Sequence, residues 1–334
     1  MSRPILSLLT AAAITLQPGA GPVHAASPVD GTASLESHLP TTIVGVRDAG
    51  VRDLRGTFRS AVCARLPADG PQCAEVLLKL AGEPPAAALD RVDDLASRYR
   101  IAFIPGLFNE CFEDLARPFG DVQADLRARG FTVDYFAVAG RGSVAHNAQQ
   151  LAGHFANLPR DDRPLVVFAY SKGLVDLLEF VVKFPDLARP IAAVVSVAGA
   201  SNGSPLADRM HAIYRSLGAR FPLPGCARGT GDEVLDLHPD TRIAWWQNHG
   251  DSVQLPIFAL VASPQPDRVS PTTRATYKEL ATTDPRNDGK RLWQEQIPPR
   301  TALVETAIAV VAGTRAVSMR HGLPPAADDP GSRQ

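Results

Sequence analysis

From about Arg98 onward the chain alternates short, uninterrupted apolar runs with longer stretches whose apolar positions recur every three or four residues. The uninterrupted runs are residues 101–105, 164–170 and 256–262, with 191–197 broken only by Ser196; residues 131–137, which include Thr132 and Asp134, are expected to be a further strand. A segment apolar at consecutive positions has no solvent-facing side, so each run predicts a strand covered on both faces. The stretches between them predict helices. Phe119, Val122 and Leu126 fall at helical intervals within residues 118–129, and Ser143 stands where it would cap a helix with an apolar face of Ala148, Leu151, Phe155 and Leu158. Residues 174–184 keep helical spacing up to Pro185, which stops the helix. A last strand is expected within residues 301–311. Strand alternating with helix predicts an α/β fold, a mostly parallel central sheet with helices on both faces.

Around this rhythm the sequence divides into further parts. Residues 26–98 show no clear strand order and are expected to form an N-terminal extension packed on a main domain spanning 99–321. Within that domain the rhythm lapses between 199 and 255, an insertion holding a predicted helix over 206–217, a Gly- and Pro-rich loop at Cys226, and the pair Trp245 and Trp246. Two readings of the insertion stay open: a cap that shapes a pocket, or a loop anchored by core tryptophans. Residues 322–334 are rich in Pro, Asp and Gly and predict a disordered tail. No internal repeat is present.

Arg3, an apolar stretch over 5–16 and the small residues of Val23-His24-Ala25 mark residues 1–25 as a secretory signal peptide. Its apolar part is too short for a permanent membrane span, so the chain is expected to be periplasmic or secreted. Export favours disulfides, and of the three pairings that four cysteines allow, Cys63 with Cys73 and Cys111 with Cys226 is favoured, the alternative being that one pair is buried thiol. Their spacing lacks the close pairs of a zinc site, and no metal is expected. The formal net charge of -1 argues against nucleic acid as the main partner.

The chemistry concentrates at Ala169-Tyr-Ser171-Lys-Gly173, where a buried strand must turn sharply into a helix and small residues flank the serine. Three further segments follow the same order of strand and loop: Ile104-Pro-Gly-Leu107, Gly203-Ser-Pro-Leu-Ala-Asp208, and Asn287-Asp-Gly289. Together they resemble the α/β-hydrolase superfamily, and within it exported bacterial lipase-like and esterase-like hydrolases, over roughly residues 98–311. The resemblance implies that Ser171 is a nucleophile and that the backbone N–H groups of Leu107 and Lys172 hold the oxyanion. The Lys172 side chain, not needed for that role, is expected to be a surface charge. The acid is expected at Asp288, with Asp267 and Asp284 as alternatives.

The histidine departs from the family pattern. Related hydrolases carry it in an Asp-His-Trp segment just after the last strand, where this chain reads Leu303-Val-Glu-Thr-Ala-Ile-Ala-Val310. By chain order His321 is the base, and His249 is the candidate out of order. The implied activity is hydrolysis of a small-molecule or lipid-like carboxylic ester without a cofactor. A hydrolase-like protein that binds an apolar ligand or partner without turnover is the alternative. No dinucleotide-binding glycine pattern or phosphate-binding lysine loop follows the first core strand, which argues against a nucleotide cofactor.

Overall fold

The computed structural model describes residues 39–304, except 67, 70, 71, 78, 80, 81, 89–93, 113–118, 219, 220, 223 and 224. The predicted signal segment, the predicted tail and His321 lie outside the described residues.

Seven strands form one parallel sheet. In chain order they are β1 (Arg52–Asp53), β2 (Arg100–Ile104), β3 (Val133–Tyr135), β4 (Leu165–Tyr170), β5 (Ile191–Val197), β6 (Ile257–Leu260) and β7 (Ala302–Leu303). Across the sheet the order is β1-β7-β6-β5-β4-β2-β3. The apolar runs therefore become strands, and the last falls within the expected window. β1 carries no signal in the sequence, because a two-residue strand of Arg and Asp has neither length nor apolar pattern. It pairs Arg52 with Ala302 and Asp53 with Leu303, so the N-terminal segment supplies one edge of the sheet.

Both faces are covered, and the two-residue period of the strands sorts side chains between them. Ile101, Phe103, Val166 and Phe168 point to one face, where they pack with Phe58 of α1 (Arg55–Cys63) and with Val122 and Leu126 of α2 (Gly120–Ala128). Ala102, Ile104, Val167 and Ala169 point to the other. There they meet Ala148, Leu151 and Phe155 of α3 (Val144–Ala156) and Leu174, Leu177 and Phe180 of α4 (Lys172–Lys183). The Ser143 hydroxyl accepts a hydrogen bond from the His146 N–H, which caps α3 as the sequence predicts.

The predicted helix of the insertion is shorter than expected. It forms α5 (Pro205–Ile213) and then loosens into a π-turn over Tyr214–Gly218. Both tryptophans lie on α6 (Pro239–His249) and serve as anchors. Trp246 is buried and donates from Nε1 to the Ser201 carbonyl at 3.1 Å, while Trp245 donates to Glu179 of α4 at 2.6 Å. Both expected disulfides are present, with Cα atoms 5.2 Å apart for Cys63–Cys73 and 4.6 Å apart for Cys111–Cys226. The second ties the loop after β2 to the insertion. Arg141, in the loop after β3, makes a second link to the insertion, donating to the Tyr214 hydroxyl at 3.1 Å and to the Phe221 carbonyl at 2.8 Å.

The chain reverses direction across the sheet between β2 and its neighbour β4. From β2 it steps out to β3, returns past β2 to β4, and then runs on through β5, β6 and β7. Loops leaving two such neighbours diverge and open a crevice at their carboxyl ends. Phe168 stacks on Phe103 across these two strands, ring centroids 5.3 Å apart. Phe168→Ala is expected to cost about 3–5 kcal/mol of stability, read as a lower denaturant midpoint. An unchanged midpoint would mean that this contact does not support the crevice.

Candidate functional site

The turn from β4 into α4 is built around one strained residue. Ser171 has φ 54° and ψ -122°, a conformation that a residue with a side chain adopts only when its surroundings impose it. Its N–H donates to the Val197 carbonyl at 3.1 Å, and its carbonyl accepts from Ala200 at 3.0 Å, which tie the bend to the end of β5. Two glycines let the bend sit against the end of β2. A Cβ on Gly106 would lie 2.8 Å from the Ser171 Cβ, and one on Gly173 would lie 2.3 Å from the Pro105 carbonyl oxygen. Neither position has room for a side chain.

Leu107 and Lys172 flank this contact. Among the described residues, neither backbone N–H donates a hydrogen bond. For Lys172 this follows from its place in the first turn of α4, where no preceding carbonyl is available. The Lys172 side chain corrects the expectation of a surface charge. It is 1% exposed, and its Nζ lies 2.5 Å from Asp176 Oδ1, itself equally buried. Helical i,i+4 spacing brings the two together, and Asn147 donates to the other carboxylate oxygen at 2.8 Å. Burial pushes the Asp176 carboxyl up, against the pull of the lysine.

Asp288 and Ser171 are brought together, but through a residue the sequence did not single out. Asp288 Oδ1 accepts from the backbone N–H groups of Lys290 at 2.8 Å and Arg291 at 2.7 Å, and Oδ2 lies 3.9 Å from Arg291 Nε. Arg291 then donates from Nη2 to Ser171 Oγ at 2.9 Å and from Nη1 to the Ala198 carbonyl. Its spacing of three from Asp288 is visible in the sequence. What the sequence lacks is any sign that the side chain reaches back across the ends of β4 and β5. Glu295 is the second group missed: burial raises its carboxyl to about 7, although it accepts from the Leu292 N–H and lies near Arg291.

The alternative acids lie elsewhere in the contacts observed. Asp267 is exposed in a turn, and Asp284 pairs with Arg286 at 2.7 Å. Among the described residues no histidine is hydrogen-bonded to Ser171. His249 packs on Trp245, with ring centroids 5.4 Å apart, and His238 pairs with Asp208 at 2.8 Å.

A search of solved structures finds a metagenomic carboxyl esterase, MGS0156, that is 30% identical to this chain, with 88% of this chain and 89% of that one covered and a TM-score of 0.73. The chain belongs to the α/β-hydrolase superfamily. A more distant likeness, to the propeptide form of the Bacillus licheniformis lipase BlEst2, is 16% identical over 65% of this chain and 47% of that one, with a TM-score of 0.51, and supports the fold alone. No family model and no curated sequence matches the chain. In this hydrolase the sharp strand-to-helix turn expected of the superfamily is the one that carries Ser171.

Two expected outcomes follow from the buried charges. Lys172→Met leaves Asp176 without its cation and should cost about 3–5 kcal/mol, most of it restored in a Lys172→Met, Asp176→Leu double variant; additive losses in the denaturant midpoint would refute the pairing. Glu295 ionises at about 7 in the fold against an ordinary 4.5. The folded state therefore holds a proton that the unfolded state has lost, so this stabilisation is complete below pH 4.5 and disappears as pH rises to about 7. Glu295→Gln should flatten that decline by up to roughly 3 kcal/mol. Parallel stability curves for the two proteins would contradict the assignment.

Proposed function

We propose that this α/β-hydrolase cleaves carboxylic esters through an acyl-enzyme on Ser171. The observation that carries the reading is the positive φ of Ser171 at the carboxyl edge of β4, held by glycines that admit no side chain. Strain of this kind costs on the order of 1–3 kcal/mol and persists where the surrounding structure imposes it. The likeness to a carboxyl esterase over most of both chains adds support for the ester class.

In this reading Ser171 Oγ attacks the ester carbonyl carbon. The N–H groups of Leu107 and Lys172 take the oxyanion, which favours the tetrahedral state over the planar ground state. The alcohol leaves, and water releases the acid from the enzyme. Asp288 fixes the neighbouring loop and its charge. Chain order offers His321 as the proton acceptor, a position outside the described residues. The substrate is a small-molecule or lipid-like ester met outside the cytoplasm, a setting to which the two disulfides are suited.

One observation favours a second reading, a hydrolase fold that binds without turnover. The side-chain partner of Ser171 is a guanidinium, which cannot accept a proton. A fluorophosphonate probe separates the two. Covalent labelling of Ser171, together with hydrolysis of short nitrophenyl esters and loss of both in Ser171→Ala, is the expected result. An unlabelled, correctly folded protein without esterase activity would favour binding without turnover.

A further inference from the structure

We infer that Glu110 is a positioning residue of the oxyanion site: its carboxylate grips Gly140 and so keeps the Leu107 N–H aimed at the carbonyl oxygen of an ester attacked by Ser171. The inference rests on the oxyanion role proposed above for that N–H. A second strained residue stands one step past this donor. Phe108 has φ 61°, in the left-handed region that a bulky side chain seldom enters. Such a conformation persists only where its neighbours impose it, and here they are close at hand.

Gly140, in the loop after β3, holds the strained turn at two points. Its carbonyl accepts from the Phe108 N–H at 2.8 Å, and its own N–H donates to Glu110 Oε2. The Phe108 carbonyl accepts from the Cys111 N–H at 3.1 Å, which closes the turn between those two points. Gly140 is buried, and a Cβ there would fall 2.6 Å from Glu110 Oε2 and 2.8 Å from the Asn109 nitrogen. Only a residue without a side chain lets the two loops meet this closely. On the far side the insertion completes the grip, with the Tyr214 ring edge-on to Phe108 at 6.0 Å and Cys226 bonded to Cys111.

Leu107 therefore lies between two fixed neighbours. Gly106 sets the chain against Ser171 on one side, and the bracketed Phe108 fixes it on the other. An N–H stabilises a developing oxyanion best when it is aimed before the reaction begins, and a displacement of about 1 Å can cost on the order of a hundredfold in rate. A carboxylate that accepts from a backbone N–H forms a charge-assisted bond, stronger than one between neutral groups. Without Glu110 the buried Gly140 N–H loses this partner, and the strained turn loses one of its two holds.

The test is steady-state hydrolysis of a short nitrophenyl ester by the full chain, alongside inhibition by a trifluoromethyl ketone, whose adduct with a serine places an oxyanion where that of the substrate would form. Glu110→Ala and Glu110→Asp lack the reach to Gly140. Both should lose on the order of tenfold to a hundredfold in kcat with KM little changed, and should bind the ketone more weakly by a similar factor. Glu110→Gln keeps the length and an acceptor oxygen, and should recover most of the loss. This order separates reach from charge, and a merely structural role would not move the ketone affinity. Full kcat in a folded Glu110→Ala, a loss carried by KM alone, ketone affinity equal to that of the wild type, or Glu110→Asp matching the wild type while Glu110→Gln fails would each overturn the inference and leave Ser171 as the nucleophile. Failure of a fluorophosphonate to label Ser171 in the wild type would instead overturn the esterase reading, and this inference with it. Should Glu110→Ala not fold, the comparison of Glu110→Asp with Glu110→Gln decides, with thermal midpoints showing that folded proteins are compared.

Discussion

The ends of β2 and β4 approach until backbone meets backbone, and much of the candidate site follows from that contact. A Cβ at Gly106 would fall 2.8 Å from the Ser171 Cβ, and one at Gly173 would fall 2.3 Å from the Pro105 oxygen. Because no side chain fits between the two loops, the bend after β4 has little freedom and Ser171 is held at a positive φ. The same contact brings the Leu107 loop alongside the first turn of α4, where backbone N–H groups have no helical partner. The sheet and its two apolar layers provide the rigidity to hold this geometry, with Phe103 and Phe168 packed directly beneath it.

Charge is arranged around the bend in two pairs with different consequences. Behind it, Lys172 and Asp176 are both buried and close, and they neutralise one another within the packing of α3 on α4. In front of it, Asp288 commits one oxygen to its own loop and stays 3.9 Å from the guanidinium of Arg291, which is thereby free to hold Ser171. A hydroxyl joined to a permanent cation is biased towards giving up its proton, but the cation cannot receive it. The esterase reading of Ser171 and the hydrogen bond from Arg291 thus meet on one oxygen atom.

Legibility in the sequence tracked the length and periodicity of each signal. β4, β5 and the helices on either face were readable because unbroken apolar runs fit only a doubly covered strand at that length, and three-to-four spacing fits only a helix with one buried side. The resemblance also placed Ser171 at the turn and Asp288 in the loop near it. β1 escaped notice because two polar residues have no pattern, although they complete the sheet edge beside β7. Lys172 was misread as a surface charge because its burial depends on Asp176 one helical turn later and on Asn147 from α3, a contact between distant segments. Arg291 left no local trace, since its role comes from a long side chain crossing to the ends of two strands.

The most direct measurement is a high-resolution crystal structure of the protein, read at the Ser171 backbone and at its Oγ. The account predicts a positive φ at Ser171, with the Arg291 guanidinium within hydrogen-bonding distance of Oγ. A Ser171 in ordinary helical or extended conformation, its hydroxyl turned into the core, would contradict it.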